Sequence, residues 1–392
     1  MFIYSGHIMT HICKSKGTEI MASIISLFNH KGGVSKTTTV FHLGWKIAST
    51  GKRVLIIDAD PQCNLTGLTL GLDDYESLVR FYDSKQNTDI FNSLAPEFSL
   101  EGTNHSQMSS TSVTPTSNEN LFILAGNIRF SELDTQIATA MTSSNTLPVL
   151  RKFVGAFNRL VRKIAAEHNI DIVLVDMSPS VSSTNQCILM SSDYFIVPIS
   201  PDFYCYQAID SLSNVLPKWA NEINPFKQGG DSPLPSSNPK MLGFITQNYR
   251  IYTTASSSNP DEPEQPKQMS KAYSDWLERI KDVANRKLIP ALNKVSMVID
   301  DDAFRQSVSH DAPYHLAGVQ NFSGLVPVSQ RLSKPIFDLT KEDGNWTGAR
   351  WMWEKGGKEN GIKVNIEEAN RVYHSLAKSV LDMIELDQKS KV

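Results

Sequence analysis

The chain has 392 residues, 40% hydrophobic and 20% charged, enough to bury a substantial core in one large domain or two ordinary ones. Lys and Arg number 38 against 41 Asp and Glu; the formal net charge of −3 excludes a histone-like basic protein and confines any nucleic-acid contact to a local patch. Cys13, Cys63, Cys187 and Cys205 are dispersed, with no C-x-x-C pair, which argues against a disulfide framework, a zinc ribbon or a bridging iron–sulfur cluster. No apolar run approaches the ~18 residues that a membrane-spanning helix needs.

Residues 1–20 mix His7, His11, Cys13, Lys14 and Lys16 with scattered apolar residues and lack the regions of a secretory signal. They read as a loosely ordered extension, with Met21 as the working start. From there, short apolar runs alternate with helical stretches, the pattern of βαβ units and a mostly parallel, doubly wound sheet. The expected strands are Ile24–Phe28, Val54–Asp58, Leu121–Leu124, Ile172–Asp176, Phe195–Pro198 and Leu242–Thr246. Their near-continuous Ile, Val and Leu suit strands covered on both faces. The expected helices are Lys36–Ser49, Arg129–Thr139, Pro148–His168, Thr184–Met190 and Tyr206–Trp219. Stretches near 99–120, 228–240 and 253–268, rich in Ser, Pro, Asn or Gln, read as insertions that bury too little apolar surface to offset their ordering entropy. Trp276, Ile280, Val283 and Leu288 mark an amphipathic helix, and a second is expected over 366–386. Residues 21–392 thus read as a single α/β domain with a helical C-terminal part.

The chemistry is concentrated in Asn29-His-Lys-Gly-Gly-Val-Ser-Lys-Thr-Thr-Thr39, which follows a strand and opens a helix, the setting in which a glycine-rich turn binds phosphate. Gly32 and Gly33 let the backbone curl so that N–H groups, including those of Val34 and Ser35, face phosphate oxygens. Lys36 would reach the β- and γ-phosphates, Thr37 would ligate Mg²⁺ and Thr38 would bond the α-phosphate. The ordinary G-x-x-x-x-G-K-[ST] pattern fails, because His30 and Ser35 hold its glycine positions. The deviant form K-G-G-x-x-K-[ST], with its extra Lys31, fits. Ser35 is expected to be tolerated with an ordinary negative φ near −60°.

These residues resemble the ParA/MinD family of deviant-Walker P-loop ATPases, and the ParA partition proteins in particular. Asp58-Ala-Asp-Pro-Gln62, Asp171–Pro179 and Tyr194–Pro201 resemble that family's segments after its second strand, at its Walker B strand and after it. The resemblance implies ATP and Mg²⁺ as cofactors and an ATPase activity. Asp60 would position the attacking water, Asp58 would lie near the metal and Asp176 would hold it through water. Lys31 would cross to the nucleotide of a partner subunit, making an ATP-dependent homodimer. Gln247, Asn248 and Pro327 would contact adenine.

The resemblance further implies non-specific DNA binding, with Arg331, Lys334, Lys341 and Arg350 as candidates, and stimulation by a centromere-binding (ParB-like) or other adaptor protein. The setting would be cytoplasmic, nucleoid-associated if DNA is bound. An ATPase acting on a protein partner complex, without partition, is the alternative. Membrane attachment through helix 366–386 is not expected, because Glu367, Glu368, Asp382, Glu385 and Asp387 would be repelled by anionic lipid.

Overall fold

The computed structural model describes residues 21–391 except 73, 85–87, 99–110, 144–146, 228–233, 250, 253–267, 309–311, 323 and 356–357. The N-terminal extension and most of the three expected insertions lie outside the described residues. In chain order the strands are β1 (Ser23–Leu27), β2 (Val54–Ala59), β3 (Thr114–Pro115), β4 (Leu121–Leu124), β5 (Ile172–Met177), β6 (Tyr194–Ile199) and β7 (Lys240–Tyr249), followed by the short ribbon β8 (Ile251–Tyr252) and β9 (Gln268–Met269), and by β10 (His315–Gln320). Eight of them form one sheet in the order β10-β7-β6-β1-β5-β2-β4-β3, parallel throughout except for β3 against β4. Every residue of β1, β2, β5 and β6 is buried, as the unbroken aliphatic runs require when helices cover both faces.

One helical layer brings together Lys36–Ala48, Asp301–Ser307 and Ile362–Lys389; another contains Leu133–Ser143, Ser183–Met190, Phe203–Lys227 and Lys271–Val283. Gly44 lets the first helix lie close to the sheet, since a Cβ there would stand 2.8 Å from Ile56 Cγ2. That contact fixes the depth of the loop preceding the helix.

Four departures from the expected elements bear on how the core is built. Expected helix 148–168 is broken into a 3₁₀ turn, Arg151–Val154 and Ala156–Glu167, with Gly155 at the break. Expected helix 129–139 becomes a 3₁₀ turn at Ile128–Glu132 and a helix at Leu133–Ser143. Helix Phe203–Lys227 runs on through Pro217 and Pro225, because burial of Trp219, Ala220, Ile223 and Phe226 outweighs the lost backbone donors. Strand β10 was not expected: only Leu316 and Val319 of its six residues are buried, so it carries no apolar run.

Helix Ile362–Lys389 packs on the core through Ile366, Ala369, Tyr373, Leu376, Val380, Met383 and Ile384, all buried. Near its end Asp387, 2% exposed, accepts from Tyr194 Oη (2.8 Å) and lies 2.5 Å from Lys240 Nζ and 2.7 Å from Lys391 Nζ. Its burial alone would raise the carboxyl pKa, but these donors together hold it below the ordinary value. Among the described residues no helix is long and apolar enough to cross a membrane.

Candidate functional site

β1 is the central strand, and the loop that leaves its C-terminal end carries the glycine-rich turn. Asn29, fully buried, pins the loop's root: its Nδ2 donates to Pro198 O (2.9 Å) and its Oδ1 accepts from Lys31 N (3.0 Å). Lys36 Nζ, curled beneath the turn, donates to the carbonyls of Asn29 (3.1 Å) and Lys31 (3.4 Å). Burial lowers its pKa, and Asp176 and Asp60 counter that shift. Gly33 has φ 73° and Ser35 has φ 59°, ψ 33°. The expectation of an ordinary φ at Ser35 is therefore overturned: the backbone is left-handed there, the conformation that glycine adopts without cost. Ser35 Oγ accepts from Asn248 Nδ2 (2.9 Å), which ties the turn to the end of β7.

β2 and β5 flank the same edge, and their register sets Asp58 beside Asp176. Asp58 is fully buried and accepts from Thr66 N (2.8 Å) and Thr66 Oγ1 (2.7 Å). Burial pushes its pKa up to about 6 against those hydrogen bonds. Gly126 makes room for this carboxylate, since a Cβ there would come within 3.0 Å of Asp58 Oδ2. Asp176 is 1% exposed, and neither of its oxygens accepts a well-formed hydrogen bond. Its pKa is driven up by burial and by neighbouring Asp58, although the Thr37 hydroxyl and Lys36 draw it down. In its charged form such a buried carboxylate is stabilised by a neighbouring cation. Among the described residues the only groups drawing it down are Thr37 and Lys36, so an Mg²⁺ between Thr37 and the acids fits this donor set. Asp60, half-exposed, lines the cleft and accepts from Gln62 N (3.0 Å).

Residues 32–38 form one wall of a cleft of about 890 Å³. Asp60, Gln62–Asn64, Thr66–Leu68, Leu72, Leu78 and Tyr82 form another, and Gln330 and Arg331 close the third side. Lys31 does not line this cleft. Its Nζ is 2.5 Å from Asp202 Oδ2, at the start of helix Phe203–Lys227.

A family model described as an AAA domain matches residues 22–227, slightly more than half of the chain. The chain belongs to this family. It is a P-loop ATPase relative of the ParA/MinD type, with 29% identity over 200 residues to the sporulation initiation inhibitor protein Soj of Bacillus subtilis, covering 50% of this chain and 65% of Soj. To the chromosome partitioning protein ParA of Caulobacter vibrioides it is 24% identical over 203 residues, covering 52% and 65%. The aligned part thus spans just under two thirds of these relatives' length. Solved structures of Cyanothece McdA, one without nucleotide and one an ATP complex, superpose with a TM-score of 0.53. The first is 14% identical and covers 89% of this chain and 99% of McdA; the second is 13% identical and covers 90% and 97%. At that identity the likeness concerns the fold, a mostly parallel sheet flanked by helices with a helical C-terminal part.

Within this ParA/MinD-type frame the structure brings together Lys36, Thr37, Thr38, Asp58, Asp60 and Asp176. The outlying expected residues are placed differently. Gln247 is 3% exposed, and its Nε2 donates to Thr39 Oγ1 (2.7 Å), so its amide braces the helix under the turn. Pro327 is exposed in the first turn of Val326–Leu332. Lys334 pairs with Asp343 (2.7 Å), Arg331 lines the cleft, and Arg350 is exposed on the four-residue helix Gly348–Trp351. Sequence reasoning missed Asn29, Thr66, Gly126 and Asp202, whose roles are hydrogen bonds or clearances across long sequence separations. It also missed His42. That imidazole is buried, bonds Thr38 O through Nδ1 (2.7 Å) and receives Ile336 N at Nε2 (3.1 Å), while stacking on Tyr373.

Proposed function

We propose that the protein is a Mg²⁺-dependent ATPase whose ATP-bound form dimerises and binds DNA non-specifically in plasmid or chromosome partition. The observation that carries the nucleotide reading is the buried Asp176 carboxylate, with no well-formed hydrogen bond, beside Thr37 and Lys36. Thr37, Asp58 and Asp176 would hold Mg²⁺, which supplies neutralisation of phosphate charge. Backbone N–H groups of residues 32–38 orient the phosphates, and Lys36 stabilises charge that develops as the γ-phosphoryl leaves. Asp60, in the cleft wall, orients the attacking water and accepts its proton. Lys31 crosses to a second protomer once it leaves Asp202, which links dimerisation to the bound triphosphate. Asn248, beside the turn, and Pro327 are the base-side contacts, with Gln247 acting from behind the helix. The setting is cytoplasmic, with a centromere-binding protein as the partner that stimulates hydrolysis.

Lys334 is neutralised by Asp343, and Arg331, though exposed, lines the cleft, so Lys341 and Arg350 remain as exposed DNA-binding candidates away from it. That placement favours, as a second reading, action on a protein partner complex. Binding of the full chain to random duplex DNA, with ATP–Mg²⁺ or ADP and at two salt concentrations, separates the two. Salt-sensitive binding with ATP alone, lost in Lys31→Ala and Lys36→Ala, supports partition. ATP-dependent dimerisation without DNA affinity overturns it in favour of the protein-partner reading.

A further inference from the structure

We infer that Arg331 is a nucleotide-phosphate contact supplied from the C-terminal part of the same protomer, and that it favours triphosphate over diphosphate. The inference rests on the ATPase reading of the cleft. Among the residues lining that cleft the cations are Lys36 and Arg331. Lys31 is held by Asp202, and Lys36 is tethered to two carbonyls below the turn. Of the three acids only Asp60 lines the cleft, while Asp58 and Asp176 are buried, so apart from Arg331 the cleft wall offers a triphosphate a single lysine. Arg331 adds a second cation to that wall, and the multiple charge of a triphosphate is better held by positive groups from more than one element.

Arg331 is built for that role. It sits on Val326–Leu332, whose C-terminal turn lies against the cleft wall: Ser333 Oγ is 3.1 Å from where a Cβ on Gly71 would be. Three residues on, Ile336 N bonds His42 of the P-loop helix, so the base of this segment is fixed to the phosphate-binding element itself. The guanidinium gives one N–H to Asp343 O (3.0 Å), while the Asp343 carboxylate is held by Lys334 Nζ and Thr340 N. Arg331 thus keeps its charge and the rest of its planar donor fork for phosphate oxygens, a geometry lysine lacks.

The test measures binding of a non-hydrolysable ATP analogue and of ADP, each with Mg²⁺, to the full chain and to Arg331→Ala, Arg331→Lys and Lys36→Ala, with duplex DNA binding read in parallel. Arg331 is exposed, so the folded state should survive, and circular dichroism checks it. Arg331→Ala is expected to weaken the triphosphate about tenfold or more and ADP less than about threefold, with Arg331→Lys restoring part of the difference. Equal losses for both nucleotides, or no loss for either, overturn the inference. So does lost DNA affinity with nucleotide discrimination intact, which would return Arg331 to a DNA surface. If the folded wild-type chain and Lys36→Ala both fail to bind either nucleotide, the ATPase reading falls first and this inference with it.

Discussion

The two halves of the molecule are built on different rules. From β1 to helix Phe203–Lys227, the parallel strands β1, β2 and β5 end at one edge of the sheet, and they or the loops after them carry Lys36, Thr37, Asp58, Asp60 and Asp176. Beyond β7 the chain serves that edge from a distance. Arg331 reaches the cleft, His42 is capped by Ile336, and Asp387 bonds Tyr194 across 193 positions. The first half holds the reacting groups, while the second fixes how firmly they are held.

Four perturbations would break or sharpen that division. Lys36→Ala should have the largest effect, lowering ATP affinity about a hundredfold or more by removing the charge-assisted contact under the turn, as read by calorimetric titration. Near-normal affinity would show that the turn is not the phosphate site. Next comes Asp387→Ala, remote from the cleft. It strands Lys240 and Tyr194 and should cost about 2–3 kcal/mol of stability in denaturant unfolding, with nucleotide affinity of the folded protein nearly unchanged. A large loss of affinity at unchanged stability would dissolve the contrast between the halves.

The third concerns His42, where the halves meet. Burial lowers its pKa to about 4, against 6.5 for a free imidazole. The unfolded chain therefore binds the proton more readily than the native one. The stabilisation is complete above pH 6.5 and is lost as pH falls from 6.5 toward 4, by about 3 kcal/mol in all. The buried carboxyls Asp58 and Asp176 have raised pKa values and change stability in the opposite sense. The quantity to measure is thus the difference between wild type and His42→Gln across that range. A constant difference would mean that His42 does not titrate between the two states. Smallest of all, Ser35→Gly should relieve the left-handed strain and stabilise the fold by about 1 kcal/mol, offset in part by the lost bond from Asn248. Thermal unfolding reads the sign, and destabilisation would show that the Asn248 bond dominates.

How much was legible follows the same division. The aliphatic runs at 54–58 and 172–176 gave away β2 and β5, and Lys36-Thr37 at the start of a helix and Asp58-Ala-Asp60 at the end of β2 are local patterns. What stayed hidden depends on distant partners. Nothing near Thr66 says that its hydroxyl will hold Asp58, and nothing near Arg331 separates a cleft cation from a surface one. β10 escaped notice because an edge strand with two buried residues has no hydrophobic signature. Ser35 is the converse: the motif revealed a missing glycine, but only the backbone angles show that serine takes up glycine's conformation.

The packing of helix Ile362–Lys389 also bears on how the protein is made. Tyr373 stacks on His42, Ser379 Oγ bonds Ser307 O, and Gln388 Nε2 bonds Ser23 Oγ across 365 positions. The segments that surround the phosphate turn are thus translated early, while the helix that clamps them leaves the ribosome some 300 residues later. Until it does, the apolar faces of helix Lys36–Ala48 and of the sheet beneath it are uncovered, the state in which nascent chains recruit chaperones or aggregate. A nascent chain stalled before residue 362 should accordingly lack a finished phosphate site, so that nucleotide binding becomes possible only late in synthesis.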